Sequence, residues 1–474
     1  MCIYQQKTFK SHLFRVFNRF GSRMHIDRTL VCLLLTVLLV AILPNIEAEI
    51  SSFQINSTDH KTDCFERGIN IICFKKFLQP VAETLNDTSS SNFLNALLRK
   101  INSESDTAAK SRHRRKAVNV LVRRELRAGP YETNFLRYAL AVRRLKNHFG
   151  IRPDMNTYDI IAIIHTGSIR EHRGPAFFSW HRIYLLLYEA ALQSVFGPDV
   201  TVPYWDSSLD EAMENRQART ILFSNKYFGT PFGEVTEGLF ANLPGVKIRR
   251  NIGATAALIP KNAIADVLTR TSHSQIVRRD QRRYYWEGYH DSVHRWVDGT
   301  MASGTLAAFD PIFWCHHAFV DYVWELFRER ISNAPGDYPL GFDEHPPEGQ
   351  MRFNSYRNQP NPPITNREGY SNEYARLRRY APAPSCQNLC SNSQDLYCNG
   401  MRDICVSLER VTGETFAQDV VAFPASGVPQ GPDITTLQGI QQSILQDMPA
   451  GTPLNLFEVD EIDPNTRGLS VFDV

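Results

Sequence analysis

The chain carries no surplus of either charge: 52 lysines and arginines stand against 50 aspartates and glutamates, a formal net charge of +2 in 474 residues. That balance offers no electrostatic footprint for nucleic acid or for a strongly acidic partner. There is no internal repeat. Segments that alternate apolar and polar residues are scarce, which argues against a core built on sheets. The apolar run LVCLLLTVLLVAIL, residues 30–43, has fourteen residues and is too short to span a bilayer comfortably. The cysteine group at Cys386, Cys390, Cys398 and Cys405 lacks the C-x2-C pairs of a structural zinc site. What remains is an ordinary globular composition, 43% hydrophobic and 22% charged, long enough for one large core with appendages.

The short apolar run is preceded by Lys7, Lys10, Arg15, Arg19, Arg23 and Arg28 and closed by Pro44. It has the form of a secretory signal core, with Ile46-Glu47-Ala48 as a cleavage site and residues 1–48 as the signal peptide. Initiation at Met24 gives a signal of more usual length, and a signal anchor is the competing reading. Export agrees with the cysteines. Cys64 with Cys73 and the four later cysteines suggest three disulfides, leaving Cys315 as a buried free thiol. With a signal, Asn56 and Asn86 become glycan sites. Residues 49–115 read as a polar extension ending in Arg112-His113-Arg114-Arg115, either a processing site or a solvated basic surface. A patterned domain follows at 116–332, then a Pro-rich wrapping segment at 333–385 and a Cys-containing region at 386–474. The end of the chain, from Asp433 on, reads as a solvated acidic tail.

Helices are legible within the patterned domain. ETNFLRYALAVRRLKNHFG places Phe135, Ala139, Val142 and Leu145 on one face, with Gly150 as a stop. YDIIAIIHTG is short and nearly all apolar. PAFFSWHRIYLLLYEAALQSVFG runs from Pro175 to Gly197, and RRYYWEGYHDSVHRWVDG and DPIFWCHHAFVDYVWELFRER supply two more. The expected fold is mainly α, an antiparallel four-helix bundle.

Seven of the fourteen histidines fall on these helices or the loop between two of them: His165, His172, His181, His290, His294, His316 and His317. A buried imidazole needs partners for two nitrogens, so seven on apolar helices are hard to explain as packing. His290 and His294, four residues apart, project from one helix face. His316 and His317 point about 100° apart on theirs, so both cannot reach one point. The helix leaves the choice open, although Asp321, four residues beyond His317, favours that residue. Several imidazoles without a thiolate or carboxylate ligand suit copper better than structural zinc or di-iron. On chemistry alone, zinc in a three-histidine hydrolytic site stays open.

HTGSIREHRGPAFFSWHRIYLLLYEAAL resembles the copper A region of the tyrosinase family of type 3 dicopper proteins. PYWDSSLD resembles its connecting motif, and HDSVHRWVDGTMASGTLAAFDPIFWCHHAFVDYVWELF its copper B region. The resemblance covers residues 116–345, and its wording is nearest to secreted molluscan tyrosinase-like proteins of the shell matrix. It implies two copper ions with dioxygen as co-substrate. His165, His172 and His181 become copper A ligands, and His290, His294 and His317 copper B ligands. His316 becomes a packed neighbour, while Phe177 and Phe313 pack on ligand rings. Arg182 pairs with Asp321, and Asp206 caps or pairs nearby. The chain departs from the family at Ser179, where Pro is usual, and at Cys315, where Leu is common. Arg170 stands where some relatives have a cysteine joined to the middle copper A histidine.

The activity so implied is that of a secreted phenol oxidase. It would hydroxylate monophenols at the ortho position and oxidise catechols to o-quinones that crosslink or pigment an extracellular matrix or shell. The substrate would be a small phenol or catechol, or tyrosine side chains of matrix proteins, with no nucleic acid and no stable membrane anchor. In the family a water held by a Glu and an Asn near the first copper B histidine takes the phenolic proton. Glu287 and Asp291 stand at those positions here, and Gly304 falls where a bulky residue shields copper in catechol-only relatives. The alternatives are a catalytically silent matrix protein and a haemocyanin-like dioxygen binder.

Overall fold

The structure is a computed structural model that describes residues 88–111, 120–353 and 364–410. The signal segment, the Cys64 and Cys73 pair, both sequons, the basic run at 112–115 and the acidic tail lie outside the described residues. The longer helices are α1 (Thr88–Ser111), α2 (Arg137–Asn147), α3 (Thr157–Ala162), α4 (Ala176–Phe196), α5 (Lys261–Leu268), α6 (Trp286–Val297) and α7 (Ile312–Arg328). Six short strands, β1 (Leu121–Arg123), β2 (Phe232–Glu234), β3 (Arg249–Asn251), β4 (Arg378–Tyr380), β5 (Leu396–Asn399) and β6 (Ile404–Ser407), form three two-stranded pairs. The fold is mainly α, as the scarcity of alternating segments predicts. No helix among the described residues is long and apolar enough to cross a membrane.

Helix α4 is buried on nearly every side, which is what an apolar pattern without a polar stripe demands. Pro175 precedes it, and Gly197, at φ +150°, follows it. Helix α7 lies antiparallel on α4: Phe178 stacks on Trp324 (ring centroids 5.1 Å apart), while ten residues on Tyr188 stacks on Trp314 at 3.7 Å. Between these contacts Arg182 reaches Asp321 and Glu325, both at 2.7 Å. Helix α6 runs antiparallel to α7, with Trp286 Nε1 donating to the Val320 carbonyl and His294 against Phe313. Asp310 Oδ1 accepts from the Ile312 N–H at the start of α7, and both its oxygens are held by the buried Arg250 guanidinium.

Three features were not expected from the sequence. Helix α1 lies in the stretch read as polar, yet Phe93, Leu94, Leu97, Leu98 and Ile101 are buried, and Lys100 Nζ reaches Gln193 of α4. Helix α2 is preceded by a π-helical turn, Glu132–Leu136. Strand β1 pairs in parallel with β4, more than 250 residues away. Around that pairing, the Glu189 carboxylate of α4 accepts from Arg123, Arg378 and the Val202 N–H at 2.6 to 2.9 Å. Burial alone would raise its pKa, but the two guanidiniums hold it below the usual carboxylate value.

Beyond α7 the chain crosses the start of α4. Trp180 Nε1 donates to the Arg352 carbonyl, its ring stacks on Phe353, and Tyr370 donates to the Pro175 carbonyl. Ser179 lies under Gly369 here: a Cβ on that glycine would come within 2.5 Å of Ser179 Cβ. Two disulfides, Cys386–Cys398 and Cys390–Cys405, fasten the β5–β6 hairpin. Cys315 is free and buried.

Candidate metal centre

Two groups of three histidines come together from elements far apart in sequence. In each group, one ring nitrogen per residue lies within 4.8 Å of the others: His165, His172 and His181 in the first, His290, His294 and His317 in the second. His165 sits on the 3-10 turn Ile163–Gly167 that continues α3. His181 is in the second turn of α4, and His172 is in the loop between them. His290 and His294 share a face of α6, as their spacing predicts, and α7 supplies His317. The groups adjoin, since the His181 and His317 rings stack with centroids 4.3 Å apart.

The outer nitrogens are fixed. His165 Nδ1 donates to the Gly304 carbonyl (3.0 Å), His172 Nδ1 to Ser168 (3.1 Å), His181 Nδ1 to Phe177 (2.8 Å) and His294 Nδ1 to Met301 (2.8 Å). His290 Nδ1 faces Asp291 Oδ1 at 3.1 Å. Carbonyls and carboxylates only accept, so these five rings carry their proton on Nδ1 and turn an Nε2 lone pair inward. Nε2 of His165 and His181 is buried without a partner. Nε2 of His317 lies 3.1 Å from that of His290 and 3.3 Å from that of His294. Burial lowers the pKa of all six, that of His294 to about 4, so they are neutral.

Phe177 and Phe313 each touch both groups. Phe177 lies 4.8 Å from His181 and from His290, and Phe313 lies 4.2 Å from His317 and 4.9 Å from His165. His316 belongs to neither group. Its ring stacks on His290, and both its nitrogens are buried without partners.

The family model for the common central domain of tyrosinase matches residues 155–254 and 240–330. Tyrosinase-like protein 1 of Margaritifera margaritifera is 35% identical over 297 residues, 58% of each chain. The tyrosinase of Streptomyces glaucescens is 34% identical over 220 residues, 41% of this chain and 78% of that protein. The chain belongs to the tyrosinase family. It spans only 58% of the length of the Margaritifera relative. A solved polyphenol oxidase from Thermothelomyces thermophila aligns with 63% of this chain and all of its own, at 17% identity and a TM-score of 0.45.

The cofactor of a tyrosinase is a type 3 dicopper centre, and the donors fit it. His290 and His294 turn Nε2 lone pairs toward His317 Nε2 at 3.1 and 3.3 Å, and with its proton on Nδ1 His317 would add a third donor to the same point. Six neutral imidazoles with no thiolate in either group form a set that copper accepts.

The residues expected to handle the proton flank His290. Glu287 is buried, and its carboxylate accepts from the Arg173 N–H at 2.7 and 2.8 Å and from Tyr285 Oη at 2.9 Å. Burial raises its pKa to about 8. Asp291 is exposed, with one oxygen on His290 Nδ1. Gly304 is exposed beside His165, and a Cβ there would meet nothing within 4 Å. Asp321, read as a neighbour of His317, makes no bond to that ring. It binds Arg182 and Tyr380, and so fixes the helix. Asp206 caps the turn that follows it by accepting from Ser208. Sequence reasoning could not find the carbonyls of Ser168, Phe177, Met301 and Gly304, because any residue type supplies one.

Proposed function

We propose that the protein is a secreted, copper-dependent phenol oxidase that hydroxylates monophenols and oxidises catechols to o-quinones. His165, His172 and His181 hold one copper; His290, His294 and His317 hold the other. The observation that carries this reading is the pair of adjoining histidine triads with inward lone pairs. When bound, the copper pair supplies dioxygen activation and the electron transfer from the phenol.

The remaining work falls to the chain. The carbonyls behind the rings and the wedges Phe177 and Phe313 keep the ligands from turning. Gly304 leaves room beside His165 for an aromatic ring to approach. Asp291, in contact with His290, is placed to accept the phenolic proton through a water. Glu287, one turn earlier on α6, takes part in the same relay while it holds the His172 loop. The product quinones would crosslink or pigment an extracellular matrix, with tyrosine side chains among the substrates; the molluscan relatives support that setting. A signal peptide at residues 1–48, glycans on Asn56 or Asn86 and the division at 115, 332 and 385 belong to the same reading.

Oxygen uptake by copper-loaded protein, with a monophenol and then a catechol, tests it. Uptake is expected with both. Catechol turnover alone would leave a catechol oxidase, reversible dioxygen binding without turnover a carrier, and neither a silent matrix protein.

A further inference from the structure

His172 is the member of the first triad that no regular helix carries, and it is only half-buried. It lies between the short turn Ile169–Glu171 and Arg173, whose φ of +68° is a left-handed conformation. A non-glycine residue held there costs about 1–3 kcal/mol and persists only when its surroundings enforce it. The enforcement comes from two contacts that bracket the histidine. On one side, the Arg173 N–H donates to Glu287. On the other, His345 Nε2 donates to the Arg170 carbonyl.

His345 reaches the loop from the segment that crosses α4. It is 2% exposed, its N–H is bound to the Phe342 carbonyl and its own carbonyl accepts from Tyr338. The bond to a carbonyl puts its proton on Nε2, so Nδ1 keeps a lone pair, and that atom is buried without a partner. An unsatisfied buried nitrogen is costly, so an apolar residue would serve packing better. Gly174 makes the approach possible: a Cβ there would lie 2.1 Å from His345 Nδ1. We propose that His345 is a positioning residue for His172, holding residues 170–174 so that the ring is presented to copper before copper arrives. The proposal rests on the ligand assignment above.

The experiment uses the full-length secreted protein and the variants His345→Ala, His345→Gln, Gly174→Ala and the His345→Ala/Gly174→Ala pair. His172→Ala serves as a ligand control, and Arg367→Ala, at an exposed ion pair with Glu348, as a surface control. Hydrogen exchange in metal-free protein reads residues 168–174, and titration with copper alone reads each site. His345→Ala should speed exchange there about tenfold, the loss of one hydrogen bond. It should weaken one copper site about 10- to 100-fold and leave the other intact. Gln, whose amide N–H can replace Nε2–H, should restore both readings. Gly174→Ala should imitate His345→Ala, and the pair should be no worse than either alone.

Unchanged exchange in His345→Ala, no recovery with Gln, additive effects in the pair, or a loss spread over the whole domain would each overturn the proposal. Full copper binding by His172→Ala would overturn the ligand assignment instead. Faster loop exchange in His345→Ala with both copper sites at full affinity would also overturn the proposal.

Discussion

At the scale of single residues, the neighbours His316 and His317 show how little a residue type says without its direction. Both are buried imidazoles on α7, yet only His317 points its Nε2 at His290 and His294. His317→Ala should therefore reduce bound copper from two ions per chain to one, while His316→Ala keeps both; metal analysis after dialysis reads the difference. Asp291 invites a second test. Asp291→Asn keeps an acceptor for His290 Nδ1 but loses the charge, whereas Asp291→Ala loses both. Oxygen uptake should fall about 100-fold with a monophenol for Asp291→Ala, the lower range for losing a general base, and much less with a catechol. Equal losses on both substrates would confine Asp291 to orienting the ring. Gly304→Phe should fold normally, since a Cβ there meets nothing, and should lose monophenol turnover first.

At the scale of elements, α2 and α6 were legible from apolar residues at helical spacing, and α3, α4 and α7 as apolar runs bounded by proline or glycine. Helix α1 was not read, although Phe93, Leu94, Leu97, Leu98 and Ile101 carry the same spacing, because serine and asparagine dominate its surroundings. Leu97→Ala should cost about 2–5 kcal/mol, as for other fully buried leucines, seen as a lower denaturation midpoint. The β1–β4 pairing had no local signal at all, since strands of three residues pair only where the rest of the fold brings them together. Its anchor is Glu189. Glu189→Ala would leave two buried guanidiniums without their shared carboxylate, at a cost of about 3–5 kcal/mol. Loss of less than about 1 kcal/mol, the range of a surface ion pair, would show that water replaces the carboxylate.

At the scale of the molecule, the chemistry on offer was legible from the residues alone: histidines in apolar helices, no obvious thiolate or carboxylate ligand among them, and family motifs around both groups. The mainly helical class and the buried Cys315 could be read there too, as could two disulfides among four cysteines without their connectivity. Which atoms meet follows from packing. Rotation of α7 about its axis selects His317 over His316, and that rotation is set by Arg182 and Tyr380 on Asp321 and by Trp324 and Trp314 against α4. The Gly304 carbonyl, more than a hundred residues away along the chain, fixes which nitrogen of His165 faces inward. The hold on the His172 loop passes through His345, a residue whose own neighbourhood gives no hint of a metal. Residue type sets what an atom can bind, but direction and distance are products of packing, and a metal centre needs all three.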